Sequence, residues 1–314
     1  MKIVNLNPDF DPAGVGWTLT SLINRYTEHE CIHMVTNVHY YRYTTHINLR
    51  TSRVPPVDLA EIFDEADVIH INQAMPIIHF KKLNFSHVIK RNMKKVIFEF
   101  HGAPELDLSS HPCVKGYYEG RVPIISVHPY YRKFIPDAIV PEINTPVDTE
   151  EWKPVWRDKK PPYLIGKSSS SKEMKNRPEF EELGMMEGVE TYEIHQLAHS
   201  DCLKVKRDTL DMGHDSYDLR YINISTFENA CFGVPTFSSG KTEMELYKNR
   251  DPSGGVPFEN VENNDQAAKI IRAWIKDPDL LNERSREIRD WMVIYWNGRA
   301  CARLWVELYE ENLK

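Results

Sequence analysis

Short apolar runs alternate with longer stretches of mixed polarity through the first half of the chain. Residues 2–6, 67–72, 95–100 and 123–127 are compact apolar runs bounded by polar or turn residues, the pattern of buried strands. Residues 18–26 and 76–91 carry the amphipathic pattern of helices. Strands separated by helices predict a parallel sheet with crossover helices. Such sheets take ligands at the carboxyl ends of their strands. Gly14 and Gly16 lie in the loop after the first strand, His101 follows the third, and His128 follows the fourth.

The pattern breaks at a proline-rich stretch containing Pro136, Pro141, Pro146, Pro154, Pro161 and Pro162, which interrupts any long element. A domain boundary is expected near Thr149. The α/β alternation then restarts, with strands at 163–165, 190–194 and 234–237 and helices at 178–183 and 265–275. Residues 280–313 read as mostly helical and carry Trp291, Trp296, Trp305 and Tyr309. No internal repeat is visible.

Composition narrows the classes. The 314 residues suggest two domains, and a hydrophobic content of 41% supplies a sizeable core. A net charge of −7 argues against a general nucleic-acid or membrane-surface binder. A basic stretch from Lys81 to Lys95 reads first as a solvated helix face. Five scattered cysteines without a C-x-x-C pair point to reduced thiols. With no signal-peptide pattern and no apolar run of membrane-spanning length, the expectation is a soluble cytoplasmic protein.

Two segments carry chemistry. In YLIGKSSSSK, a short strand ends in glycine and is followed by Lys167 and Lys172. Two cations on a loop suit a diphosphate, although either lysine also reads as an ordinary surface residue. In INISTFENACFGVP, a helix starts near Ser225 and Thr226 and carries Glu228 one turn in. A helix N-terminus offers free N–H groups to an anion, and Glu228 could accept hydrogen bonds from ribose hydroxyls. The local alternative makes Ser225 and Thr226 caps and Glu228 an acid favoured by the helix dipole. The Asp9-Phe10-Asp11 pair reads as capping the Gly14 loop. No histidine cluster has metal-ligand spacing.

These segments, in this order, resemble the GT-B glycosyltransferases of the retaining family-4 type. That family pairs a strand-Gly-Arg with a lysine five residues after the arginine; here Gly166-Lys167 and Lys172 fall at that spacing. The run from Phe227 to Pro235 is similar to the family's Glu-Ala-small helix ending in Gly-x-Pro. Asn144 to Asp148 with Trp152-Lys153-Pro154 echoes its linker, and Gly14, Gly16 and His101 match its first domain. The resemblance implies two Rossmann-like domains with parallel sheets facing a central cleft. They would span 1–149 on the acceptor side and 150–290 on the donor side, with 291–314 as a helix crossing back to the first. It implies a UDP-sugar donor, no cofactor and no metal. Lys167 and Lys172 would bind the diphosphate, Ser225 and Thr226 the phosphate end, Glu228 the ribose, and Gly14 and Gly16 phosphate or acceptor. His101 would be catalytic. Arg220 stands where the family has the first of two glutamates, so Asp218 or Asp215 would supply that carboxylate. Implied acceptors are glycans, lipid-linked sugars or small molecules, with a DNA base less favoured. A sugar-nucleotide epimerase and a non-catalytic nucleotide-sugar binder are the alternatives.

Overall fold

The structure is a computed structural model that describes residues 1–8, 11–37, 42–72, 85–100, 122–127, 129, 132, 135–168, 177–195, 197–215, 217, 222–240 and 244–313. The chain divides into two compact units, Met1–Pro146 with Gly298–Lys314, and Val147–Asn297.

The first unit is built on a six-stranded parallel sheet. Its elements are β1 (Lys2–Asn7), α1 (Val15–Tyr26), β2 (Glu30–Val35), β3 (Ile47–Asn48), α2 (Pro56–Glu65), β4 (Val68–Asn72), α3 (Phe85–Arg91), β5 (Val96–Phe100) and β6 (Ile124–Ser126). The strand order is β3-β2-β1-β4-β5-β6, so the winding reverses between β1 and β4. Strands β4 and β5 are buried along their whole length, as expected for a parallel sheet covered on both faces. Leu6, Met34, Phe63, Ile69, Val96 and Phe98 form the centre of the core on one face. The basic stretch is partly tied down: Arg91 pairs with Asp64, and Lys95 Nζ donates to the Asp64 carbonyl at 2.7 Å.

The second unit contains β7 (Tyr163–Ser168), α4 (Arg177–Gly184), β8 (Val189–Ile194), α5 (His199–Asp208), β9 (Met212–His214), α6 (Ile224–Cys231), β10 (Thr236–Ser238), α7 (Met244–Arg250), β11 (Glu259–Asn260), α8 (Asn264–Lys276) and α9 (Pro278–Tyr295). Its sheet runs β11-β10-β9-β7-β8, all parallel, with the reversal between β7 and β9. Ile165, Met212, Phe237, Ile271 and Trp274 pack together as its core.

The last helix, α10 (Gly298–Asn312), belongs to the first unit and packs on α1. Trp305 Nε1 donates to the Ile143 carbonyl at 3.0 Å, and the Trp305 ring stacks on His70 at 5.4 Å. The Tyr309 hydroxyl lies 2.9 Å from His70 Nδ1, while His70 Nε2 lies 2.9 Å from Glu99. All three groups are buried, and burial pushes the Tyr309 phenol well above its ordinary range.

The observed division differs from the expected one at both joints. The second unit begins at Val147, before Thr149, because Arg289 in α9 binds the Thr149 and Trp152 carbonyls at 2.6 and 3.0 Å and holds that segment to the second unit. The return to the first unit begins at Gly298, after residue 291. Trp291 and Trp296 stay in the second unit, where Trp296 stacks on Phe227 at 5.3 Å and on Trp291 at 5.9 Å. The expected single helical stretch is therefore two helices, broken at Trp296–Asn297.

Candidate functional site

In the second unit, the reversal between β7 and β9 brings two titratable side chains together. Gly166 and Gly213 are register partners, so the next residues, Lys167 and His214, lie side by side at the carboxyl ends of their strands. Neither glycine has room for a side chain: a Cβ on Gly166 would meet Leu210 at 2.2 Å, and one on Gly213 would meet Asn229 and Thr236 at 2.4 Å. Lys167 Nζ lies 3.0 Å from His214 Nδ1. An ammonium only donates, so Nδ1 accepts and the neutral imidazole carries its proton on Nε2. Both residues are buried. Burial pushes the Lys167 ammonium down to about 8, against the opposing pull of Asp215, Glu179 and Glu193. Burial, then the lysine charge, pushes His214 well below its ordinary range.

Asp215 follows β9 and organises the entry to α6. Its Oδ1 accepts from Asn223 Nδ2 at 2.5 Å, and its Oδ2 accepts from the Thr226 hydroxyl at 2.7 Å and from the Asn223 N–H at 3.4 Å. The helix starts at Ile224 with Asn223 as its N-cap residue, so neither Ser225 nor Thr226 is the cap. Both hydroxyls are instead held from outside the helix: Thr226 by Asp215, and Ser225 Oγ by Lys206 Nζ at 2.9 Å.

Glu228 lies one turn into α6 and is 3% exposed. His199 Nε2 donates to its Oε1 at 2.6 Å, and the Lys206 ammonium bonds its Oε2. Burial works to raise its pKa, but Lys206 and His199 outweigh it and hold the carboxyl down to about 2. Glu228 is thus a fixed, paired anion and lies beyond the first turn, where a dipole-favoured acid would sit. Ribose hydroxyls could use only the lone pairs that His199 and Lys206 leave. His199 and Lys206 were not singled out from sequence as partners of Glu228. The signal was the spacing of seven within one helix, which puts both on the α6-facing side of α5.

In the first unit, Gly14 has φ +73° and caps α1. Gly16 has no room for a side chain: a Cβ would meet Asn7 Oδ1 at 2.6 Å and His33 Nε2 at 2.9 Å. Asp11 does cap this loop. Its carboxylate accepts the Gly16 N–H at 3.0 Å and the Trp17 N–H at 2.8 Å. Two of the helix N–H groups that a phosphate would use are therefore already bonded to a carboxylate. Behind them lies a buried polar floor at the β1–β4 reversal. There His33 Nε2 lies 2.9 Å from Asn7 Oδ1, and Asn72 bonds Asn5. Burial pushes His33 down to about 3, helped by His46.

His101, Lys172 and Asp218 lie outside the described residues, as do Arg220 and His128. Among the described residues no three His, Cys, Asp or Glu side chains come together as a metal site, and no helix is long and apolar enough to cross a membrane.

No family model matches the chain. No curated protein matches it either. Solved structures do. An alpha-glucosyltransferase in complex with UDP and a 13-mer DNA containing a central A:G mismatch superposes with a TM-score of 0.71 at 11% identity, over 99% of this chain and 100% of that one. HepE of Anabaena in complex with UDP-glucose gives 0.67 at 11% identity over 99% and 100%. A glycosyltransferase from Rickettsia africae gives 0.66 at 13% identity over 100% and 98%. At these identities the likeness establishes the architecture, and the chain has the GT-B fold of two Rossmann-like α/β units.

Proposed function

We propose that this chain is a glycosyltransferase that moves a sugar from a nucleoside-diphosphate sugar, with UDP as the carrier, to an acceptor hydroxyl. The observation that carries the reading is Lys167, a buried cation at the carboxyl end of β7 where the sheet order reverses. Ligands of open α/β sheets bind at such a point. The bond that breaks leaves negative charge on the diphosphate. A fixed cation there stabilises the charge as it develops, and burial strengthens the interaction. A lysine in this role does not require a metal. The solved relatives in fold were captured with UDP or UDP-glucose, which supports the same donor class.

Transfer with retention and without metal belongs to the same reading, with a glycan, lipid-linked sugar or small molecule as acceptor. The net charge of −7 and the pairing of Arg91 and Lys95 with Asp64 run against a DNA acceptor.

The test is a thermal-shift and turnover series with UDP, UDP-glucose and other nucleotide sugars, with and without EDTA. Stabilisation by a UDP-sugar, followed by UDP release on adding acceptor, supports transfer. The anomeric configuration of the product, read by NMR, decides retention. Conversion of the donor with no acceptor present would indicate epimerisation, binding without turnover would leave a non-catalytic binder, and no binding would overturn the reading.

A further inference from the structure

The second unit has a cavity at the strand ends opposite to Lys167 and His214. It encloses about 330 Å³ and is lined by residues of the segment before β7 and of α9. Lys159 fixes its place. Lys159 Nζ donates to the carbonyls of Asp211 and Gly233 at 3.0 and 2.9 Å and to Ser285 Oγ at 2.9 Å. Asp211 and Gly233 immediately precede β9 and the turn into β10, so the cavity lies at the amino ends of the strands. Lys167 and His214 lie at the carboxyl ends; His214 is three residues beyond Asp211, about 10 Å along the strand at roughly 3.3 Å per residue.

The walls are cross-braced by hydrogen bonds and packing. Asn282 bonds the Lys159 backbone in both directions, accepting its N–H at 3.0 Å and donating to its carbonyl at 3.3 Å. Trp156 is 53% exposed, yet the edge of its ring rests on Gly233, where a Cβ would lie 3.1 Å away. A large aromatic face is thus held in the solvent beside a preformed hollow.

The uncommitted groups select the ligand. Lys159 is used up by its three acceptors. Arg157 is committed to Asp211 Oδ1 and the Thr209 carbonyl, each at 2.7 Å. Among the described residues Arg286 and Asp158 keep their charged ends uncommitted, one a donor fork and the other an acceptor, and together they are neutral. With the Arg157 charge paired to Asp211 and the Lys159 donors spent on uncharged acceptors, a phosphate would find one free donor fork, Arg286, beside the repelling Asp158 carboxylate. Neighbouring hydroxyls, each both donor and acceptor, can satisfy the two together. An exposed indole offers a flat apolar face on which the C–H side of a pyranose can lie.

We infer that this cavity, formed by Trp156, Asp158, Asn282 and Arg286, is a second carbohydrate site that holds a neutral saccharide chain away from the donor site. It would anchor a glycan to the second unit while another part of that glycan, or its product, is handled elsewhere. The inference does not need the donor reading, because the cavity is separate from Lys167.

The experiment is a calorimetric titration of the full chain with maltotriose, cellotriose and chitotriose, in the absence and presence of saturating UDP. At least one saccharide should bind saturably, and UDP should leave its affinity unchanged. Trp156→Ala should weaken that binding about tenfold or more, and Arg286→Ala should weaken it by a smaller factor. Both side chains are exposed, so an unchanged melting temperature verifies the fold of each variant. The inference is overturned if none of the three saccharides binds, if binding survives Trp156→Ala, if UDP displaces the saccharide, or if uridine and adenosine bind the cavity in place of sugars. A chain that binds saccharide but not UDP would retain this site while losing the donor reading, so the two can fail separately.

Discussion

Lys167 and His214 meet where the strand order of the second unit reverses, an ammonium nitrogen 3.0 Å from an imidazole nitrogen. Neither residue is exposed enough to be a solvated charge. The imidazole accepts from the lysine, so it supports the cation without neutralising it. Such a cation can act on an anion brought to it.

The first prediction uses the depressed lysine. With its ammonium at about 8, Lys167 loses its proton as the pH rises from about 7 to about 9. UDP affinity should fall about tenfold over that interval, as the charged fraction does. Stability should move the other way. The folded pKa is below the ordinary 10.5, so between about 8 and 10.5 the unfolded chain binds more protons, and folding becomes more favourable as pH rises. Calorimetry with UDP at stepped pH reads the first effect, and denaturant melts read the second. Lys167→Met should remove both.

Glu228 and Lys206 form a buried pair, with side chains 4% and 2% exposed. Removing one partner leaves a buried charge without compensation, so Glu228→Gln and Lys206→Met should each cost about 3–5 kcal/mol. The double variant should cost less than the sum, as urea melts of the four proteins would show. The pH sign also follows. Glu228 is held at about 2 against an ordinary 4.5, so its contribution is full above 4.5 and is lost as pH falls toward 2. Glu228→Gln should flatten that part of the acid melt.

Asp11 closes the N-terminus of α1 in place of an external anion. Asp11→Ala should lower stability by about 1–2 kcal/mol, the scale of a lost cap. If a phosphate enters this loop once the carboxylate is gone, the variant and not the parent protein should be stabilised by inorganic phosphate in a thermal-shift series.

The Tyr309 hydroxyl is the only link of its side chain to His70 that Tyr309→Phe would remove, because the ring packing is retained. The variant should lose about 1–2 kcal/mol through a buried polar atom left unmade. Amide exchange should be faster in β4, which carries His70, with no change in the strands of the second unit.

The α/β alternation and the two-unit plan were legible because fully buried parallel strands appear as apolar runs. Several elements escaped notice, among them β2, α2, β9 and α5. β9 is only Met212–His214, and its middle residue is glycine. α5 is polar on most of its surface, with Cys202 and Lys206 as its buried residues. Missing α5 also hid Lys206, since a buried lysine resembles a surface one until its partner is known. The Glu228 helix was legible from its glycine stop at Gly233, but the ion pair around it was not, because its partners come from 22 and 29 positions away. Capping by Asp11 was legible because the contact is local. The bond from the Thr226 hydroxyl at the start of α6 to Asp215 was not, because it crosses to the end of β9.

The return of α10 to the first unit has a consequence for synthesis on the ribosome. The second unit is one continuous stretch, and all of it has been made before Gly298 is added. The first unit is begun earliest yet finished last. Trp305 and Tyr309 fill its interior against Ile143 and His70, and they follow the whole second unit in the sequence. During translation its sheet must therefore wait, with apolar surface uncovered, while a whole α/β unit is built behind it. The order in which the units mature is the reverse of the order in which they start.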